Sequence, residues 1–220
     1  MNAQNLTGAW KLISENGKNT TEETIRIYAD GYFMFGTHSN GAFGNAGGGT
    51  YMVEGKEYRE VLDFHATDAA KIRQPQTFTF TLKKDELTIS SKDNKQTWRK
   101  VDDSKSPLAG AYRFGARVDD NGVAGERRDA NSPRQTIKIL SGKHFQWAAF
   151  NYETKEFSGT GGGTYELQGD KYTETIRFFS RDNSRAGMSL TFDCRIDGKD
   201  WYHKGKGTTG NPVSEVWTLR

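Results

Sequence analysis

Two short segments repeat the same polar signature in an apolar setting. Tyr58-Arg59-Glu60 is followed by Leu62 and Phe64, and Tyr172-Thr173-Glu174 by Ile176 and Phe178, at every second position. In a strand, side chains two apart share a face. Tyr58, Glu60, Leu62 and Phe64 are therefore expected on one face, with Arg59, Val61, Asp63 and His65 opposite. Tyr172, Glu174, Ile176 and Phe178 share the corresponding face, opposite Thr173, Thr175, Arg177 and Phe179. The first set is the more apolar in each segment and is expected inside. A carboxylate placed there must find a cation or take up a proton. Arg26 and Lys138, which recur at matching places, are the candidate partners. The plain reading is an ion pair that holds the fold. The functional readings are a polar anchor for a ligand head group, or a general base, Glu174 with Tyr172 or His203 nearby.

Other chemistries find little support in the residue types. The histidines at 38, 65, 144 and 203 do not recur between segments and lack metal-ligand spacing, so no metal or other cofactor is expected. His203 follows Trp201-Tyr202 on a late strand of the second half, which marks it as a cavity-facing candidate. The glycine-rich runs Gly44 to Gly49 and Gly159 to Gly163 do not end in Gly-Lys-Ser/Thr and lead into strands. A glycine bulge or sharp bend at a barrel rim is expected there, rather than a phosphate cradle. No Gly-x-Ser-x-Gly elbow occurs. The single cysteine, Cys194, excludes an internal disulfide.

The elements that must position these residues are repeated too. Gly8-Ala9-Trp10 is echoed by Gly110-Ala111-Tyr112, Thr24-Ile25-Arg26-Ile27 by Thr136-Ile137-Lys138-Ile139, and Phe33-Met34-Phe35 by Phe145-Gln146-Trp147. Gly47-Gly48-Gly49-Thr50-Tyr51 matches Gly161-Gly162-Gly163-Thr164-Tyr165, and Trp98 matches Trp217. The blocks keep their order while their offset grows, as when insertions fall in loops. The polar run Asp102 to Pro107 separates the copies, which gives repeats at 1–104 and 105–220. Alternation such as Thr77-Phe78-Thr79-Phe80 and closely spaced Asp-Gly and Ser-Gly turns predict strands throughout. The most helix-like piece, Thr67 to Ile72, is about one turn. About eight strands fit each half, and closure into a barrel would remove their edges.

Composition sets the outer bounds. The chain has 220 residues, a net charge of +3, 25 Gly, 4 Pro and a mean hydropathy of -0.83. The charge excess is too small for a nucleic-acid footprint, and no run approaches the ~20 apolar residues of a membrane-spanning helix. The 13 Phe, 9 Tyr and 5 Trp can close an aromatic interior. Phe33, Phe35, Phe43, Phe145, Trp147, Tyr152 and Phe157 are expected either to line a pocket or to fill the barrels. The N-terminal residues carry no basic segment followed by an apolar one, so a secretion signal is read as absent or already removed.

The ordered set Gly-x-Trp, β meander and closing strand with Trp98 or Trp217 resembles the lipocalin-like, or calycin, domains, including bacterial ones of unknown function. The second half departs from that pattern with Tyr112 in place of Trp. The resemblance implies an all-β chain of two tandem lipocalin-like, antiparallel up-and-down β-barrels, with a secreted or periplasmic location. The expected function is non-enzymatic binding of a small apolar or amphipathic ligand. A structural or protein-interaction module with filled barrels, and an isomerase or hydrolase using Glu174, remain as alternatives. The longer insertions, Asp119 to Ser132 and His203 to Pro212, lie in the second half. The expected ligand-binding residues are therefore Lys138, Trp147, Tyr172, Glu174 and His203, with Glu60 left to a structural role.

Overall fold

The structure, a computed structural model, describes residues 5–220; the N-terminal stretch read above for a secretion signal begins outside them. The first half runs through β1 (Gly8–Glu15), β2 (Lys18–Asn19), β3 (Glu23–Ala29), β4 (Tyr32–Ser39), β5 (Ala42–Glu54), β6 (Glu57–His65), β7 (Pro75–Lys83), β8 (Glu86–Ser90) and β9 (Lys95–Asp102). The second runs through β10 (Gly110–Arg117), β11 (Arg134–Leu140), β12 (His144–Asn151), β13 (Glu156–Gln168), β14 (Lys171–Phe179), β15 (Ser189–Asp197), β16 (Asp200–Lys206) and β17 (Pro212–Leu219). Successive strands pair antiparallel, and β1–β9 and β10–β17 pairing closes the ends. The result is two closed eight-stranded barrels in tandem, with β2 a short addition beside β1. Hairpins such as Asp30-Gly31 and Asn40-Gly41 have positive φ at both central residues, as their twist requires. The expected helical turn is a short 3-10 segment at Ala69–Lys71, matched by Asn183–Arg185.

Each barrel has its own aromatic interior. Trp10, Tyr28, Phe33, Tyr58, Phe80, Leu87 and Trp98 fill the first. Tyr112, Phe145, Tyr165, Tyr172, Phe192, Trp201 and Trp217 fill the second. A third core lies between the barrels, where Ile27, Ala29, Met34, Ala46 and Phe64 meet Ile137, Ile139, Ala148 and Phe150. The strands β3 to β6 and β11 to β14 thus bury both faces.

This arrangement corrects one strict-alternation reading. Phe64 and Phe178 do not share a face with Glu60 and Glu174. The register shifts by one residue opposite Gly48/Gly49 and opposite Gly162/Gly163, so the strand crosses from inside to outside. Phe64 and Phe178 then point into the interface, and His65 and Phe179 turn inward. The glycines are needed for this. A Cβ on Gly49 would lie 2.0 Å from the Val61 carbonyl oxygen, and one on Gly163 2.0 Å from that of Thr175. The bulge sits mid-strand rather than at a rim. The aromatic set is corrected as well: Phe43, Tyr152 and Phe157 pack at the barrel–barrel interface, and only Phe33, Phe35, Phe145 and Trp147 face the interiors.

The interface has an approximate two-fold axis. Phe64 stacks on Phe150 at 4.9 Å, as Phe178 does on His38 at 5.7 Å. Phe64–Phe157 and Phe178–Phe43 follow at 6.1 and 6.0 Å, and Phe43 stacks on Phe157 across the axis. The connection between barrels is clasped as well. The buried Asp102 carboxylate accepts from the Ser104 amide at 2.9 Å, and from Ser141 Oγ and the Lys143 amide, both at 2.6 Å. Burial pushes its pKa up, but the nearby His144 ring and these donors outweigh that and hold it well below the usual carboxylate range.

Gly163→Ala is expected to cost about 3 kcal/mol in urea denaturation, the upper end of ordinary overpacking penalties, and Gly49→Ala a similar amount. A loss under about 1 kcal/mol would mean that the bulge is not what holds Phe178 in the interface.

Candidate functional site

A cavity of about 730 Å³ opens into one end of the first barrel. Its inner wall is built from positions on β1 and on β3 to β9: Leu12, Thr24, Arg26, Phe35, Thr37, Asn45, Glu60, Leu62, His65, Gln76, Phe78, Ile89, Gln96 and Trp98. Its rim is the turn and strand from Glu15 to Glu22, with Lys71 and Asn94.

Arg26 is the cation in that wall, only 6% exposed. Its guanidinium lies over the rings of Phe33, Trp98 and Phe35 at 4.7, 4.9 and 5.6 Å. Both of its hydrogen bonds use Nη1, to Tyr28 Oη at 3.2 Å and Glu60 Oε2 at 3.4 Å. Its buried Nε has no partner. Tyr58 donates to Glu60 Oε2 at 2.9 Å, and Tyr28 donates to Tyr58 at 3.3 Å. Burial works against the guanidinium's charge, yet the oxygens of Tyr28, Glu60 and Tyr58 more than restore it, so the pKa of Arg26 is raised. Burial likewise raises Tyr28 and Tyr58, which remain neutral donors. His65 accepts from the Asp68 amide through Nδ1 at 3.0 Å. Burial, aided by Lys71, lowers its pKa. The ring is neutral and carries its proton on Nε2.

The second barrel has the corresponding ion pair, Lys138 Nζ with Glu174 Oε1, completed by Tyr172 donating to the same oxygen at 2.9 Å. Most of the residues around it are bulkier. Cross-strand registers place Phe114 where the first barrel has Leu12, Trp147 for Phe35, Phe179 for His65, Leu190 for Gln76, and His203 for Ile89. The loop 118–133 adds cover: Arg127 pairs with Asp200, the Arg128 amide bonds the Gly115 carbonyl, and the Arg128 guanidinium lies 4.8 Å over Phe114. The longer insertion therefore covers the second barrel, where sequence length suggested that it would frame a mouth.

The structure brings together most of the residues expected to bind ligand, in a packed interior. Lys138, Tyr172, Glu174 and His203 are buried together, with Tyr172 and His203 rings 5.7 Å apart. Trp147 is half-buried beside Lys138 in the cross-strand register and packs on Phe179. None of the five lines the 730 Å³ cavity. His203 borders a groove of about 490 Å³ with Cys194, Tyr202 and Glu215. Burial, and then the charge of Lys138, push the His203 pKa well below its ordinary value, and neither ring nitrogen has a partner. Burial raises the thiol pKa of Cys194. Among the described residues no cluster of three or more His, Cys, Asp or Glu could hold a metal ion, and no helix is long and apolar enough to cross a membrane.

Gln76, Gln96 and Thr37 were not singled out by the sequence, Thr24 entered only as part of a repeated block, and His65 was expected on the face opposite Glu60. A signal was present in the repeat: the first copy has Gln76 and His65 where the second has Leu190 and Phe179. At these two positions the polar residue of the first copy lines the cavity and the apolar residue of the second belongs to the packed core.

No protein-family model matches the chain, and no curated protein matches it. Among solved structures, the chain is similar to an uncharacterized protein from Bacteroides eggerthii DSM 20697, at 15% identity and a TM-score of 0.35, over 44% of this chain and 99% of that one.

Two tests separate the barrels. Glu174→Gln strands a buried lysine and is expected to cost ~3–5 kcal/mol. Glu60→Gln leaves Arg26 beside an open cavity and is expected to cost about 1–2 kcal/mol, nearer an ordinary hydrogen-bond loss. Equal losses in chemical denaturation would show that the two interiors are equally dry. The second test concerns His203. Its folded pKa is depressed, so below the unfolded value of about 6.5 the unfolded chain binds a proton that the folded chain refuses. That costs stability as pH falls. His203→Ile, the residue of the other copy, is expected to gain on the parent between pH 6.5 and 5 by up to about 1.4 kcal/mol per pH unit. Parallel stability curves for the two proteins would exclude a buried neutral His203.

Proposed function

We propose that the protein is a non-enzymatic binding protein that takes a small, partly apolar molecule into the mouth of its first barrel, with the second barrel as a filled companion. The observation that carries this is the 730 Å³ cavity with the caged, incompletely partnered Arg26 in its wall. Its size lies within the ~300–1,000 Å³ of small-molecule pockets, and its lining is more polar than apolar, with Thr, Asn, Gln and charged side chains around a smaller apolar part. Phe35, Phe78, Leu62, Ile89 and Trp98 supply the apolar surface, and Arg26 and Glu60 the polar anchor. The ligand site thus moves from Glu174 and its neighbours to their counterparts in the first copy.

We also read both barrels as lipocalin-like. Trp10 supports this: it is fully buried near the start of the first strand, its Nε1 donates to the Leu6 carbonyl at 2.8 Å, and Lys100 lies 5.0 Å from the ring centre. The secreted or periplasmic location belongs to this reading and rests on the family resemblance.

The test uses the second copy as a template. Leu12→Phe, Phe35→Trp and Gln76→Leu together import the residues that fill the other interior. Native mass spectrometry of the parent protein, purified without denaturation, is expected to reveal a bound small molecule that the filled variant lacks. Addition of the extracted molecule at a hundredfold excess over its Kd is expected to stabilise only the parent, by about 2.7 kcal/mol. Equal binding to both proteins would remove the first barrel as the site.

A further inference from the structure

We infer that the ligand of the first barrel is a neutral, hydroxyl-rich molecule with one apolar face, of the carbohydrate class; this rests on the site proposed above. The wall is balanced in charge: Lys18, Arg26 and Lys71 stand against Glu15, Glu22 and Glu60, and His65 is neutral. An ionic ligand would lose its hydration there without meeting an excess of opposite charge. Arg26, the one cation deep in the wall, already has a carboxylate beside it.

The polar groups left over are a mixture of donors and acceptors. Glu60 uses Oε2 for both Tyr58 and Arg26, which leaves Oε1 as an acceptor. Gln96 donates through Nε2 to Glu15 at 3.0 Å, which leaves its carbonyl. Asn45 accepts through Oδ1 from the Ala46 amide and the Thr67 hydroxyl, which leaves its amide nitrogen as a donor. His65 adds the Nε2 proton, and Gln76, cross-strand from Glu60, adds a whole amide. A hydroxyl group both donates and accepts, so a ligand with several hydroxyls can satisfy such a set, whereas an alkyl chain would leave each of these groups unpaired. The remaining wall, with Phe78 and Trp98, is apolar and suits the C–H face of a sugar ring.

The test is a titration of the full-length protein, followed through the side-chain amide resonances of Asn45, Gln76 and Gln96. The probes are methyl β-D-glucopyranoside, N-acetylglucosamine and cellobiose, with laurate and citrate as the apolar and anionic comparisons. At least one sugar is expected to shift these resonances saturably. Gln76→Leu, which puts in the residue of the folded second barrel, is expected to weaken that sugar about tenfold, the loss of one well-placed hydrogen bond. If laurate or citrate moves the resonances and no sugar does, the hydroxyl-rich ligand is wrong while the binding site stands. If a sugar binds as well to Gln76→Leu as to the parent, the inference also fails. If no probe moves them, the ligand class falls, and the binding experiment above then decides the site independently.

Discussion

The rest of the architecture depends on one backbone constraint, the bulge in which Gly48 and Gly49 in one copy, and Gly162 and Gly163 in the other, face a strand that has gained a residue. Before the bulge, β6 and β14 turn Tyr-x-Glu into the barrels. After it, the same strands turn Phe64 and Phe178 outward into the shared core. A single strand thereby serves two hydrophobic interiors, and both would lose their alignment if the glycines carried side chains. The triple glycine, which in isolation suggests a ligand-binding loop, is a device for steering side chains.

The second theme is the burial of a cation among aromatic rings. Both copies meet the desolvation cost in the same way, with a carboxylate and a tyrosine hydroxyl on one strand, but to different completeness. Lys138 is a compact point charge, engaged by Glu174 and surrounded by Phe145, Tyr172, Trp201 and Trp217. Arg26 has a wider fork of donors and uses only one nitrogen of it. The different cation matches the different surroundings: a compact charge among closely packed rings in the second barrel, and a wider fork of donors beside a cavity in the first.

Much of this was legible in the sequence. The repeated blocks and period-2 alternation gave the two antiparallel barrels. The recurrence of Arg26/Glu60 and Lys138/Glu174 gave both ion pairs. Strict alternation failed after Leu62 and Ile176, because a bulge breaks the period without changing residue types nearby. The location of the cavity failed for another reason. Whether an interior is full depends on side chains facing one another from several strands, such as Leu12, Phe35, Gln76 and Ile89 against Phe114, Trp147, Leu190 and His203. That sum is invisible until the register is known. Loop length misled because a longer loop can cover a barrel as readily as it can open one.

The approximate two-fold axis has a consequence of its own. When two identical subunits meet across such an axis, each contact residue appears twice, and any substitution is made on both sides at once. Here the copies share one chain, so each side of a contact can change alone. The pair Phe64–Phe150 is entirely hydrocarbon, while its mate Phe178–His38 contains an imidazole next to Glu23. The same freedom applies to the interiors. In the second barrel Leu190 and Phe179 pack into the core, while in the first Gln76 and His65 at the same places line a cavity at one end.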